Sequence, residues 1–168
     1  MNYIAIVKTT CLRYLPALLT ILSLCLSGCS DSPAPNRTKR LPVELYLIAR
    51  PGSGLSGDLI GCNDTIVSVN DTLAGTDRSV AGLMTKLLAR QSDEKRYTTV
   101  EGLQLDTVVI QRPVRVYLRG HPRLRGVCDH PRIRQQLYRT ARQLPGVDSV
   151  RFYINGRTLD EVLSLKGG

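Results

Sequence analysis

Two segments of helical period, each bracketed by segments of strand period, constrain this chain more than any other feature. In residues 77–90, Val80, Leu83, Met84, Leu87 and Leu88 recur at i, i+3, i+4, i+7 and i+8, an apolar stripe along one helix face. Thr76 or Asp77 is placed to cap that helix. A second helix is expected to open at Asp129-His130-Pro131, with Asp129 as the cap and Pro131 in the first turn, where a missing N–H costs little. Ile133, Leu137, Ala141 and Leu144 share one of its faces, and Pro145-Gly146 stops it.

Around these lie the strands. Val43–Ile48 alternates and then turns apolar, and Thr65–Val69 is a second short run. Residues 51–58 are expected to form a mobile Gly-rich loop, Asn70-Asp71-Thr72 a turn or irregular stretch, and 91–96 a charged connector. Leu103, Leu105, Val108 and Ile110 fit strand material. Val114, Val116 and Leu118 alternate with Arg115, Tyr117 and Arg119, the pattern of a half-buried strand behind Pro113. After the second helix, Val147, Val150, Phe152 and Ile154 make a further strand, Asn155-Gly156 is a tight-turn pair, and Thr158–Glu161 has capping-box spacing for a short last helix. The order β-β-α-β-β-α-β predicts an α+β fold, a mixed sheet with two main helices packed on one face. At 168 residues and 42% hydrophobic, the chain has material for one domain and not for wholesale disorder. With no Trp and one Phe, its core must be Leu, Val, Ile and a few Tyr.

The N-terminus reads as an address. Lys8 and Arg13 precede an apolar run over 14–26, too short to span a bilayer and suited to the h-region of a secretory signal. No other run approaches spanning length. Leu26-Ser27-Gly28-Cys29 follows and resembles a bacterial lipobox, which implies that 1–28 is a lipoprotein signal peptide and that Cys29 is acylated. Residues 29–41, polar and with two prolines, are expected to form a lipidated flexible tether, and 42–168 the folded domain. The implied location is the cell membrane or outer membrane, lipid-anchored on the extracytoplasmic side.

Five cysteines reduce to two in such a chain. Cys11 and Cys25 leave with the signal and Cys29 carries lipid, so Cys62 and Cys128 remain in an oxidising compartment. A disulfide between them is the simplest account. The rival is a small metal site in which Cys62, Cys128, His121 and His130 supply four ligands, although Cys128-x-His130 is not a usual zinc spacing.

Catalytic constellations are sparse. A Ser-His-Asp set can be written from Ser149, His130 and Asp129, but neighbours in sequence rarely form a triad and no nucleophile elbow is present. Gly52, Gly54 and Gly57 lack the helix and Lys of a phosphate loop. No catalytic residue and no cofactor is assigned, and the chain is read as non-enzymatic. Its most unusual feature is Arg112, Arg115, Arg119, Arg123, Arg125, Arg132, Arg134, Arg139 and Arg142 within 31 residues, with Asp129 the single acid among them, in a chain of net charge +9. Arg suits bidentate contact with phosphate or carboxylate, which makes the cluster a candidate face for anionic lipid or a wall polyanion. The plain alternative is a solvated surface that keeps the protein soluble. Nucleic acid is not an expected partner, because no aromatic interleaving offers a stacking platform.

Gly126-Val127-Cys128-Asp129, Ile133–Leu137 with Thr140, and Leu144-Pro145-Gly146-Val147 through Val150–Gly156 together resemble the second half of a GerMN domain, the sporulation and spore-germination domain of many bacterial lipoproteins. Val43–Tyr46, Cys62 with Val67–Val69, Leu87-Leu88 and Tyr97–Leu103 match its first half, so the resemblance spans roughly 42–157. The connector 90–94 stands where members often have Gly-Pro, and the Arg density is not typical. The resemblance implies an extracytoplasmic α+β module without catalytic residues, a binding or scaffold unit for envelope protein or polymer contacts. Many members carry a Cys at both places, which suits the disulfide.

Overall fold

The computed structural model describes residues 40–164. The expected signal segment 1–28, the acylated Cys29 and the tether up to residue 39 lie outside the described residues, as do residues 165–168.

The fold is α+β. Its elements are β1 (Leu41–Ala49), β2 (Asp58–Ile60), β3 (Asp64–Leu73), α1 (Val80–Ala89), β4 (Arg96–Tyr97), β5 (Leu103–Val109), β6 (Val114–Gly120), α2 (Asp129–Arg142), β7 (Val150–Ile154), β8 (Arg157–Thr158) and α3 (Leu159–Leu163). The long elements β1, β3, α1, β5, β6, α2 and β7 follow the expected order. The strands are divided between two four-stranded sheets, ordered β2-β3-β1-β4 and β5-β6-β7-β8. The first is antiparallel throughout, while the second is mixed, with β6 parallel to β7.

The division follows from how the free edge of β1 is covered. β3 covers one edge of β1, and β4 reaches only Ile48 and Ala49 on the other. The rest of that edge is taken by side chains of α2. The Glu44 N–H donates to Gln143 Oε1 at 2.7 Å, and Gln143 Nε2 donates to the Glu44 carbonyl at 2.5 Å. The Tyr46 N–H donates to Thr140 Oγ1 at 3.3 Å, and Gln136 Nε2 donates to the Tyr46 carbonyl at 3.0 Å. Gln136, Thr140 and Gln143 lie at i, i+4 and i+7, one helix face, so a polar stripe satisfies the backbone groups that another strand would otherwise pair.

Beside that stripe runs the apolar one. Ile133, Leu137 and Ala141 are buried with Leu83, Met84 and Leu87 of α1 and with inward-facing Leu45, Leu47, Val116, Leu118, Phe152 and Ile154. These aliphatic side chains, with one Phe and no Trp, make the core.

Several boundaries differ from the sequence expectation. α1 starts at Val80, not 77; Thr76 and Asp77 sit in a short 3-10 turn, and Ser79 is the cap, its hydroxyl accepting from the Gly82 N–H at 3.1 Å. Gly82 is needed there, because a Cβ would fall 2.1 Å from the Asp77 carbonyl oxygen. Asp129 does not cap α2 but is its first residue, with Cys128 at the cap position. Its carboxylate accepts instead from the Arg125 N–H at 2.6 Å and from Arg132 at 2.9 Å. Residues 70–72 continue β3 rather than turning, since Asp71 finds Lys86 of α1 at 2.9 Å and Leu73 is buried. In β5 the buried parity changes between Leu105 and Val108, and a register shift between Leu105 and Thr107 absorbs it. The capping box at Thr158 and Glu161 forms, and Asn155 and Gly156 take the positive φ of a two-residue hairpin turn.

Candidate functional site

Cys62 and Cys128 are joined in a disulfide across 66 residues of sequence, with Cα atoms 5.6 Å apart. Both sulfurs are thereby spent, which removes the thiolates from the four-ligand metal set. Among the described residues no group of three or more His, Cys, Asp and Glu is placed to hold a metal ion.

The Ser149-His130-Asp129 set does not assemble either. The Asp129 carboxylate is occupied by Arg125 and Arg132, and His130 Nε2 is buried without a hydrogen-bond partner. His121 is exposed in the loop after β6.

The nine arginines separate into groups with different fates. Arg132 is structural. It donates to both Asp64 oxygens at 2.6 and 2.9 Å and to Asp129 at 2.9 Å, and its guanidinium lies 5.8 Å from the Tyr97 ring centre. The hydrogen bond it donates to Asp64, with that to Asp129, drives its pKa further up, so its charge is fixed. It helps line a small cleft of about 330 Å³ with Arg50, Arg123 and Arg125. Arg115 and Arg119 stand on the outer face of β6, with Arg112 in the turn before it.

Arg134, Arg139 and Arg142 project from α2 into a groove of about 950 Å³ between α2, β7 and α3. Arg151 of β7 joins them there. Val150, Phe152 and Leu159 form the apolar floor, Tyr46 and Tyr138 the walls, and Asp160 is the one carboxylate among the lining residues. Arg134 pairs with Asp160 at 2.7 Å, with side chains 43% and 69% exposed, so water and salt can exchange the pair. Arg139 pairs with Asp58, donates to Gln135 at 2.9 Å and lies over Tyr46. Arg142 lies 4.9 Å from the Tyr138 ring centre. Neither the Arg142 nor the Arg151 side chain makes an ion pair or hydrogen bond among the described residues.

Tyr138 is the centre of this arrangement. Phe152 meets its ring edge-on at 5.0 Å and fixes its plane. Burial raises the Tyr138 hydroxyl pKa and Asp160 adds to the rise, while Arg134, Arg142 and Arg151 oppose it. The phenol is therefore a neutral donor at physiological pH. The groove thus offers guanidinium forks and a phenolic donor above an apolar floor, a set suited to an anionic group carried on an apolar body. Arg151, Tyr138 and Tyr46 were not singled out from the sequence. Arg151 continues the outward alternation of Val150–Ile154, but it lies nine residues past the dense Arg window.

Comparison with known proteins agrees with this architecture. The family model Germane, described as sporulation and spore germination, matches residues 45–160. Among solved structures, the fold is similar to the tandem GerMN domains of the sporulation protein GerM from Bacillus subtilis, with a TM-score of 0.50 and 14% sequence identity. That similarity covers 77% of this chain and 44% of the GerM chain, so the present chain spans less than half of its length. No curated protein matches.

Proposed function

Because this chain belongs to the Germane family of sporulation and spore germination, we propose that it is a lipid-anchored, extracytoplasmic scaffold module whose arginine groove holds an anionic group of an envelope partner. The anchor is Cys29, and the location is the cell membrane or outer membrane. The module acts by binding and not by catalysis. The observation that carries the reading is the pair Arg142 and Arg151, two cations without an acid partner beside a neutral Tyr138 in a groove with an apolar floor. Unpaired guanidiniums converging on one cavity favour a carboxylate or phosphate arriving from outside.

The test is a pull-down with the full lipidated chain from its own envelope, comparing wild type with Arg142→Gln/Arg151→Gln at low and high salt. A partner held by wild type and released both by the double change and by salt supports the groove. A partner held equally by both proteins at high salt moves the contact to another, apolar surface. Hydrolase activity of the purified chain, lost on changing His121 or His130, would overturn the non-catalytic reading.

A further inference from the structure

The outer face of β5, β6 and β7 forms a second surface, and its register sets out its composition row by row. At one end Val109, Arg115 and Arg151 are aligned across the three strands. The next row is Thr107, Tyr117 and Tyr153, with the two rings stacked at 4.9 Å and 15°. Gln104 and Arg119 follow. The alternate residues Val114, Val116, Leu118, Val150 and Phe152 are buried, so the rows named here point away from the core.

The first row borders the β5–β6 turn, where Ile110 is 73% exposed and Val109 40%, beside Arg112. These are two of the four large exposed hydrophobics among the described residues. The acids nearest in sequence are Asp106, at the register shift, and Asp148, in the turn before β7. Against Arg112, Arg115, Arg119 and Arg151 the face remains cationic.

An apolar tip, a collar of arginines and a tyrosine row behind it match the layers of a bilayer surface from the acyl boundary outward. A soluble polyanion would account for the arginines but not for a bare Ile110. We propose that the β5–β6 turn docks on an anionic bilayer, with Val109 and Ile110 entering the headgroup layer and Arg112 and Arg115 on lipid phosphates. This surface is distinct from the groove and does not depend on acylation of Cys29. Together with a lipid anchor it would supply the second membrane signal that fixes the orientation of the fold.

The chain contains no Trp, so a single introduced Trp reports without background. The full chain carrying Ile110→Trp is mixed with phosphatidylglycerol-rich vesicles and with pure phosphatidylcholine vesicles. Docking predicts a blue-shifted emission, quenched by brominated acyl chains, in the anionic vesicles alone. Arg112→Gln/Arg115→Gln should weaken vesicle binding, read from the lipid titration of the shift, by about fivefold per arginine removed. Leu59→Trp, at a site 71% exposed on β2 in the other sheet, should keep a water-like emission. Emission from Ile110→Trp that stays water-like in both vesicles, or an equal shift from Leu59→Trp, would overturn the proposal. Arg151 is left intact because it also lines the groove. An anchoring failure appears separately, as loss of co-flotation with the pure phosphatidylcholine vesicles.

Discussion

Gln136 holds Thr99 at two points. Its Oε1 accepts from the Thr99 N–H at 2.8 Å and from the Thr99 hydroxyl at 2.5 Å. The other end of the same amide donates to the Tyr46 carbonyl of β1 at 3.0 Å. One fully buried side chain of α2 therefore ties the first sheet to the segment leading into the second. Gln136→Leu keeps the volume and leaves the Thr99 N–H and the Tyr46 carbonyl without their partner at half-buried positions. The expected loss is about 2–4 kcal/mol of unfolding free energy, read by urea denaturation. A change under about 1 kcal/mol would mean that water or a neighbour takes over both groups.

The disulfide closes a loop that contains β3, α1 and the whole β4–β6 region. On the chain-entropy model its removal by Cys62→Ser/Cys128→Ser costs roughly 4 kcal/mol. Wild type denatured with and without reductant should show the same difference, and the double variant should be indifferent to reductant. Equal midpoints for oxidised and reduced wild type would refute this.

Arg132 bridges Asp64 of β3 and Asp129 of α2, whose side chains are only 11% and 5% exposed. Arg132→Met leaves two nearly buried carboxylates without a cation, at a cost of about 3 kcal/mol or more. Arg132→Lys should recover only part, since an ammonium cannot reproduce the bidentate contact with Asp64. In an Asp64→Asn background Arg132→Met should cost less, and strict additivity of the two changes would show that the pair does not interact.

The fate of Arg132 also shows why the site was only partly legible in the sequence. The long elements and their order followed from local periodicity, because strand alternation and helical stripes are written within a few residues of each other. The bulge in β5 was not read from the sequence, although the change from odd apolar positions at Leu103 and Leu105 to an even one at Val108 carries its trace. The pairing of arginines was not read either, since Asp64 lies 68 residues from Arg132 and Asp58 lies 81 from Arg139. Counting charges in a window treated nine arginines as alike, whereas contacts distant in sequence turn some into structure and leave Arg142 without an acid partner. The separation into two sheets was hidden for the same reason. It depends on Gln136, Thr140 and Gln143 meeting an edge of β1 between 90 and 99 residues away.

Glu161 closes the capping box of α3, accepting from the Thr158 hydroxyl at 2.8 Å and the Thr158 N–H at 2.6 Å. The side-chain hydrogen bond and then the backbone one hold its carboxyl below the ordinary glutamate value of 4.5. A depressed folded-state pKa contributes stability that is complete above 4.5 and fades as the pH falls through the lower folded value. Carbon-detected NMR of the Glu161 carboxyl should titrate below its exposed neighbours, and Thr158→Ala should return it to the ordinary range. A normal titration in wild type would mean that the box is open in solution.

Asp160 competes with whatever anion the groove receives. Its pair with Arg134 is exposed on both sides and contributes less than about 1 kcal/mol to the fold. Asp160→Asn should therefore leave stability almost unchanged while releasing a third guanidinium beside Arg142 and Arg151. Binding of a fluorescent poly-glutamate peptide to the full chain, followed by anisotropy at low salt, should tighten by up to about fivefold in Asp160→Asn, the factor a surface pair of that size can supply. Arg142→Gln should weaken the same binding, because it removes a cation that no acid of the groove engages. Both effects should shrink as salt screens the groove. An Asp160→Asn chain that binds no better than wild type, with Arg142→Gln also silent, would place the anion contact outside this groove.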